Sequence, residues 1–268
     1  QAMWQNLIVV VPKKNGKIRI CIDYQKLNVK KITNAFPFPF TDGILDTIAK
    51  HEMNSFLDGF SGYNQIHMHP NDQEKTAFMM DSGMFVTVVM MFGFNTAPTT
   101  FQRIIIEIFG EYIPAFMQVF LNDFAIYDAW DEHLQHLRFC LEQCRFAQLS
   151  LNPTKCAFNI TSGALLGHIV SREAIAVDPR KIKAIIEAPT PKKALSRFLW
   201  QIHWQNPMLR YLADFATPLH AAVNRTPFSW TKTEDKAYMA LKVMLIQAPI
   251  VSHRTGRDHS TCSCMRQT

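Results

Sequence analysis

Two acidic residues set in apolar runs constrain this chain more than any other feature. Residues 119–127 read Val-Phe-Leu-Asn-Asp-Phe-Ala-Ile-Tyr, an acidic turn between two apolar stretches. Asn122 and Asp123 occupy the two central places, where short hairpin loops favour residues that tolerate left-handed backbone. A hairpin here carries a carboxylate at its tip, supported by two buried strands. Asp58, 65 positions earlier (123 − 58), has a similar setting in Ser55-Phe56-Leu57-Asp58-Gly59-Phe60. Carboxylates on neighbouring strands can share a pair of divalent ions, the arrangement used for in-line phosphoryl or nucleotidyl transfer.

With 268 residues, 48% of them hydrophobic, the chain is large enough for one or two domains around a sizeable core. Twenty-eight basic residues against 22 acidic leave a net charge of +6. That surplus suits a polyanionic partner and also occurs in proteins that bind none. No apolar run reaches the roughly 18 residues of a membrane span. The start, Gln-Ala-Met-Trp, has no basic stretch leading into an apolar one, so no signal peptide is expected. The absence of an initiator Met suggests a piece of a longer chain. None of the six cysteines forms a C-x2-C pair. Cys140 and Cys144, at i and i+4, read as helix packing, and free thiols are expected.

Along the chain, residues 6–11 and 18–23 read as a hairpin with Asn15-Gly16 at its tip. Ile44, Leu45 and Ile48 have helical spacing. Residues 84–94 are strand-rich. Pro98 opens a helix with Phe101, Ile104, Ile105 and Ile108 on one face, and Gly110 stops it. Asp131 is expected to cap a helix whose apolar face is Leu134, Leu137, Leu141 and Cys144. Strand-like pieces return at 156–160 and 165–170. Asp178-Pro179 starts a helix bearing Ile182, Ile185 and Ile186. The remainder is helical: Phe198, Leu199 and Ile202, then Leu209, Leu212 and Phe215, then a Thr231-x-x-Glu234 capping box before Tyr238, Leu241 and Leu245. The expected fold class is α+β to about residue 178, a helical region over 179–252, and a polar, disordered tail over 253–268.

Several segments in order resemble the reverse transcriptases of gypsy-type long-terminal-repeat retrotransposons. They are Val10 to Asn28 (Val-Val-Pro-Lys-Lys-Asn-Gly-Lys-Ile-Arg-Ile-Cys-Ile-Asp-Tyr-Gln-Lys-Leu-Asn), Leu57 to Ile66 (Leu-Asp-Gly-Phe-Ser-Gly-Tyr-Asn-Gln-Ile) and Lys75-Thr76-Ala77-Phe78. Phe92 to Pro98, Phe120-Leu121-Asn122-Asp123, Leu166 to Val170 and Val177-Asp178-Pro179 continue the series. The match runs over about residues 7–251. It implies a right-hand polymerase, with fingers and an antiparallel palm sheet in the first part and a helical thumb in the second. It implies DNA synthesis on an RNA or DNA template–primer duplex from deoxynucleoside triphosphates, with two Mg²⁺ ions or Mn²⁺ in their place. It also implies an intracellular setting, in a cytoplasmic virus-like particle or the nucleus, with no membrane and with a dimer allowed.

The resemblance assigns roles residue by residue. Asp58 and Asp123 match metal-binding acids, and Asn122 stands where the family has a third. Asn is nearly isosteric with Asp but neutral, so catalysis is expected to be impaired or lost, leaving a chain that only binds nucleic acid. Tyr63 matches the aromatic under the incoming sugar, and Phe92 and Gly93 the floor of the nucleotide pocket, with Met91 replacing a proline. Lys14 and Arg19 match residues gripping the triphosphate. Gln102 faces the template or packs its helix. Lys181, Lys183, Lys192, Lys193 and Arg197 are candidate contacts to duplex phosphates, or a solvated helical face. Trp200 and Ala174 replace glycines of the family pattern.

Overall fold

The computed structural model describes residues 6–12, 16, 18–30, 36–187, 195–203, 212–225, 228–246 and 251–252, and the statements below concern those. The predicted polar tail over 253–268 lies outside them. The chain forms two compact units, residues 1–170 and 171–268.

The first unit runs β1 (Leu7–Pro12), β2 (Ile18–Asp23), α1 (Gln25–Lys30), α2 (Thr41–Ile48), β3 (Met53–Asp58), α3 (Pro70–Gln73), β4 (Phe78–Met80) and β5 (Gly83–Phe85). It continues with α4 (Ala97–Phe109), β6 (Met117–Phe120), β7 (Asp123–Asp128), α5 (Trp130–Phe146), β8 (Ala157–Ile160), β9 (Ser162–Leu165) and β10 (His168–Ser171). β1 and β2 form the antiparallel hairpin the sequence predicts, with Gly16 at φ 78° in its turn. The main sheet has the order β6-β7-β3-β8, and its pairings are antiparallel.

Alternation sorts that sheet into two faces. Leu57, Met117, Val119, Phe124 and Ile126 point to one side. There they share a buried core with Phe101, Ile105 and Phe109 of α4 and Leu137, Cys140 and Cys144 of α5. Burial pushes the thiols of Cys140 and Cys144 up, to about 12 and about 11. Ser55 joins this face through a buried 2.8 Å hydrogen bond to His133 Nε2 of α5. Asn54, Phe56 and Asp58 of β3 point the other way, with Tyr127, Ala125 and Asp123 opposite them on β7.

Some sequence expectations shift. The run 84–94 yields only the short β5 and an isolated bridge between His67 and Val89. Its apolar content serves loop packing instead, with Met90 and Phe94 buried in the core. Helix α5 starts at Trp130 after Ala129, so Asp131 lies in its first turn and does not cap it. Its buried face is His133, Leu137, Cys140 and Cys144, while Leu134 is 62% exposed. The buried stripe is rotated because His133 finds a polar partner in Ser55, which lets a histidine take the inward place.

The second unit has β11 (Ala174–Val177) paired antiparallel with β12 (Val251–Ser252), then α6 (Pro179–Ile186), α7 (Leu195–His203), α8 (Leu212–Val223) and α9 (Lys232–Ile246). Asp178 caps α6 by accepting the Arg180 N–H at 2.9 Å. The Lys242 ammonium donates to the Ile186 carbonyl at the other end of that helix, 2.7 Å away. Phe198, Leu199, Ile202, Leu212, Leu219, Tyr238, Leu241 and Leu245 make a separate core. Of the predicted α8 stripe, Leu212 is buried and Phe215 is exposed, and Leu209 lies outside the described residues.

The capping box before α9 forms. The Glu234 carboxylate accepts the Thr231 N–H at 2.7 Å and the Thr231 hydroxyl, and Arg225 pairs with it at 2.9 Å. These partners, the Thr231 hydroxyl first, hold the carboxyl at about 2. A depressed carboxyl stabilises the fold above its ordinary range near ~4.3 and loses that contribution as pH falls towards the folded value. Glu234→Gln is therefore expected to lower the urea midpoint of the second unit at pH 6, with the difference shrinking between about pH 4 and the folded value of about 2. Urea titrations of both chains across that range check it.

Candidate active site

The β3–β7 register sets Asp58 directly opposite Asp123. Both side chains leave the sheet on the face away from α4 and α5, at the end of β3 and the start of β7. Phe120 pairs with Asp123, so the two loop residues of the hairpin are Leu121 and Asn122, not Asn122 and Asp123. Leu121 takes the left-handed backbone, at φ 54°. The turn is thus one residue earlier than the sequence reading, and Asp123 is a strand residue.

Strain at Leu121 is held by hydrogen bonds on both sides. Gln102 of α4 is fully buried. Its Oε1 accepts the Leu121 N–H at 2.6 Å and its Nε2 donates to the Val119 carbonyl at 3.0 Å. The Gly59 N–H donates to the Asn122 carbonyl at 2.8 Å, which ties the turn to the residue after Asp58. Gln102 therefore takes the helix-packing place of its two sequence-derived alternatives.

Asn122 turns its side chain towards the loop that follows β3. A Cβ added at Gly62 would collide with Asn122 Oδ1 and lie 2.8 Å from the Phe101 ring. Glycine is needed at 62 because the amide fills that space. Asn122 Oδ1 is buried and accepts no hydrogen bond. The two carboxylates facing each other across β3 and β7 are hard oxygen donors, which suit a hard divalent cation.

Asp58 also has a cationic neighbour. Lys155 Nζ stands 3.1 and 3.0 Å from its two carboxylate oxygens. Nothing in the sequence pairs residues 97 positions apart, so this contact was not foreseen. The one other cluster of metal-ligating side chains among the described residues is Asp128, Glu132 and His136. Asp128 pairs with Met53, at the opposite end of β7 from Asp123. Five residues of strand, roughly 17 Å, separate it from the Asp58 end, so it does not stand in for a missing acid at 122.

The nucleotide-pocket candidates gather nearby in sequence and partly in space. Tyr63 follows Gly62, and its ring lies 5.2 Å from Phe92 and 5.7 Å from Phe101. Burial raises the Tyr63 hydroxyl above its usual range. Gly93, at φ 122°, is pressed against β2, and a Cβ there would collide with the Ile22 carbonyl. The Asn28 amide donates to the Gly93 carbonyl at 2.8 Å. Arg19 sits on β2 opposite Val11, its side chain outside the described part, and Lys14 lies outside the described residues. In the second unit Lys181 and Lys183 are exposed on α6, Lys183 within 3.7 Å of Glu187. Lys192, Lys193 and the Arg197 side chain lie outside the described part. No helix among the described residues is long and apolar enough to cross a membrane.

The family model "Reverse transcriptase (RNA-dependent DNA polymerase)" matches residues 11–170. The chain belongs to the reverse transcriptase family. Among named relatives it is 31% identical over 265 residues to the retrovirus-related Pol polyprotein from transposon opus of Drosophila melanogaster, covering 91% of this chain and 26% of that protein. It is 33% identical over 252 residues to the Pol polyprotein from transposon 297 of the same fly, covering 90% of this chain and 24% of the other. The chain thus spans about a quarter of the length of these relatives. These matches bear out the resemblance to retrotransposon reverse transcriptases. Foamy viral protease–reverse transcriptase, solved with double-stranded DNA, superposes with a TM-score of 0.82 at 19% identity, covering 95% of this chain and 46% of that one. Its structure with an RNA/DNA hybrid gives 0.80 over 91% of this chain and 34% of that one. At this identity the likeness shows a shared right-hand polymerase fold.

The Gln102 clamp generates a prediction. Gln102→Leu leaves the Leu121 N–H and the Val119 carbonyl without their partner, and is expected to cost on the order of 1–3 kcal/mol of stability. Chemical denaturation measures it. A loss below about 0.5 kcal/mol would mean that the turn is held without the amide.

Proposed function

We propose that this chain is the polymerase segment of a retrotransposon Pol polyprotein. It adds deoxynucleotides from their triphosphates to a primer 3′-hydroxyl on an RNA or DNA template, and Asn122 makes it slow. The observation that carries this reading is Asp58 opposite Asp123, at the end of β3 and the start of β7, in a chain of reverse transcriptase family. The foamy viral structures similar to it hold double-stranded DNA and an RNA/DNA hybrid, which supports the choice of partner.

Asp58 and Asp123 would hold two Mg²⁺ ions or Mn²⁺. When bound, such ions neutralise triphosphate charge and lower the pKa of the attacking hydroxyl. The chain's own contribution is position. The β3–β7 ladder fixes the distance between the acids, and Gln102 fixes the turn. Tyr63, braced by Phe92 and Phe101, presents a ring that excludes a 2′-hydroxyl and so selects deoxynucleotides. Phe92 and Gly93 form the pocket floor, while Lys14 and Arg19 grip the triphosphate. Lys181, Lys183, Lys192, Lys193 and Arg197 meet duplex phosphates, a binding that weakens with salt.

A second reading is a remnant that binds template–primer and does no chemistry, and the neutral residue at 122 favours it. Primer extension on an RNA template, with Mg²⁺ or Mn²⁺, separates the two. Removing one electrostatic contact from an active site costs on the order of 10²–10³ in rate, so Asn122→Asp is expected to extend primers faster by that factor. Native extension within about tenfold of the Asp chain would overturn the claim that Asn122 slows it. Extension by the Asp chain alone makes the native chain the binding remnant. Failure of both, with salt-sensitive duplex binding intact, would overturn the polymerase reading.

A further inference from the structure

We infer that Lys155 is a built-in competitor of the cation at Asp58, a resident positive charge that any metal ion must displace. This rests on the reading of Asp58 and Asp123 as the cation site.

The ion pair is part of a constructed loop. Residues 150–156 wrap the end of β3: the Phe60 N–H donates to the Ser150 carbonyl at 2.9 Å, and Gly59 bridges to Leu151. The Asn152 N–H donates to the Asp58 carbonyl at 2.7 Å, and the Asp58 N–H donates to Cys156 Sγ at 3.4 Å. Asp58 is thus held by its backbone on both sides of Lys155. The loop is itself closed by the Lys155 and Cys156 N–H groups on the Asn152 carbonyl, at 3.0 and 3.2 Å. Gln65 fastens its start, accepting the Ser150 N–H at 2.7 Å and donating to the Ser150 carbonyl at 3.1 Å.

The result is a lysine aimed at both oxygens of a carboxylate that is 18% exposed, with its own side chain 62% exposed. The ammonium satisfies the oxygens a cation would use. Lys155 thereby offsets the charge of Asp58, one of the two acids of the site. A divalent ion therefore meets reduced attraction and a direct competitor. Because the lysine stem is exposed, it can swing into water when displaced, so the competition sets affinity without blocking the site.

The test is Mn²⁺ binding followed by electron paramagnetic resonance, on the full chain without nucleic acid. The component compared is the one that Asp58→Asn removes. Lys155→Met is expected to tighten it on the order of tenfold, as loss of one charge a few ångströms from a divalent ion does in water. Lys155→Arg, which keeps the charge, is expected to bind as the native chain does. Lys75→Met, which removes one charge from the Asp72 pair elsewhere, is expected to change nothing. Unchanged affinity in Lys155→Met, or equal tightening in Lys75→Met, overturns the inference while leaving the cation site standing. If Asp58→Asn removes no binding component, the cation reading falls and the inference with it.

Discussion

The register between β3 and β7 is the constraint on which the rest depends. It puts two like charges directly across from each other, an arrangement that disfavours a sheet. What holds it is the other face. A slip of one residue would turn Leu57, Phe124 and Ile126 away from α4 and α5 and expose a buried core. The acids thus sit where hydrophobic burial forces them, and the energy that keeps them there comes from residues with no part in the chemistry.

Around that pair the chain spends polar groups to define one loop geometry. The buried Gln102 fixes the β6 side of the turn, and the Gly59 N–H fixes the β7 side. Both matter because Leu121 is in left-handed backbone, which a branched apolar residue adopts only under such restraint. Gly62 admits the Asn122 amide, and Gly93 admits the β2 carbonyl. These two glycines are required by what presses on them.

Much of this was legible in the sequence. Alternation and turn residues gave the β1–β2 hairpin, helical spacing gave α2 and α4, and Asp178 and Thr231-x-x-Glu234 marked helix starts that form. Ordered motifs pointed to the family. Less legible was whatever depends on tertiary contact. The α5 stripe rotates because Ser55 gives His133 a buried partner, a pairing that no helical period encodes. The hairpin turn moves one residue because Leu121, a poor turn former by type, is fixed from α4. Lys155 reaches Asp58 only because a loop folds back over β3.

The space beneath Gly62 has a consequence for what can stand at position 122. The Asn122 oxygen lies buried there without a donor. An acid in the same place would bury a charge against the Gly62 backbone and the Phe101 ring, a cost that a neutral side chain avoids. The amide keeps the shape and removes the charge. The two side chains have nearly the same shape, so exchanging one for the other calls for no repacking of the neighbours. Position 122 can therefore change its charge without changing the fold around it.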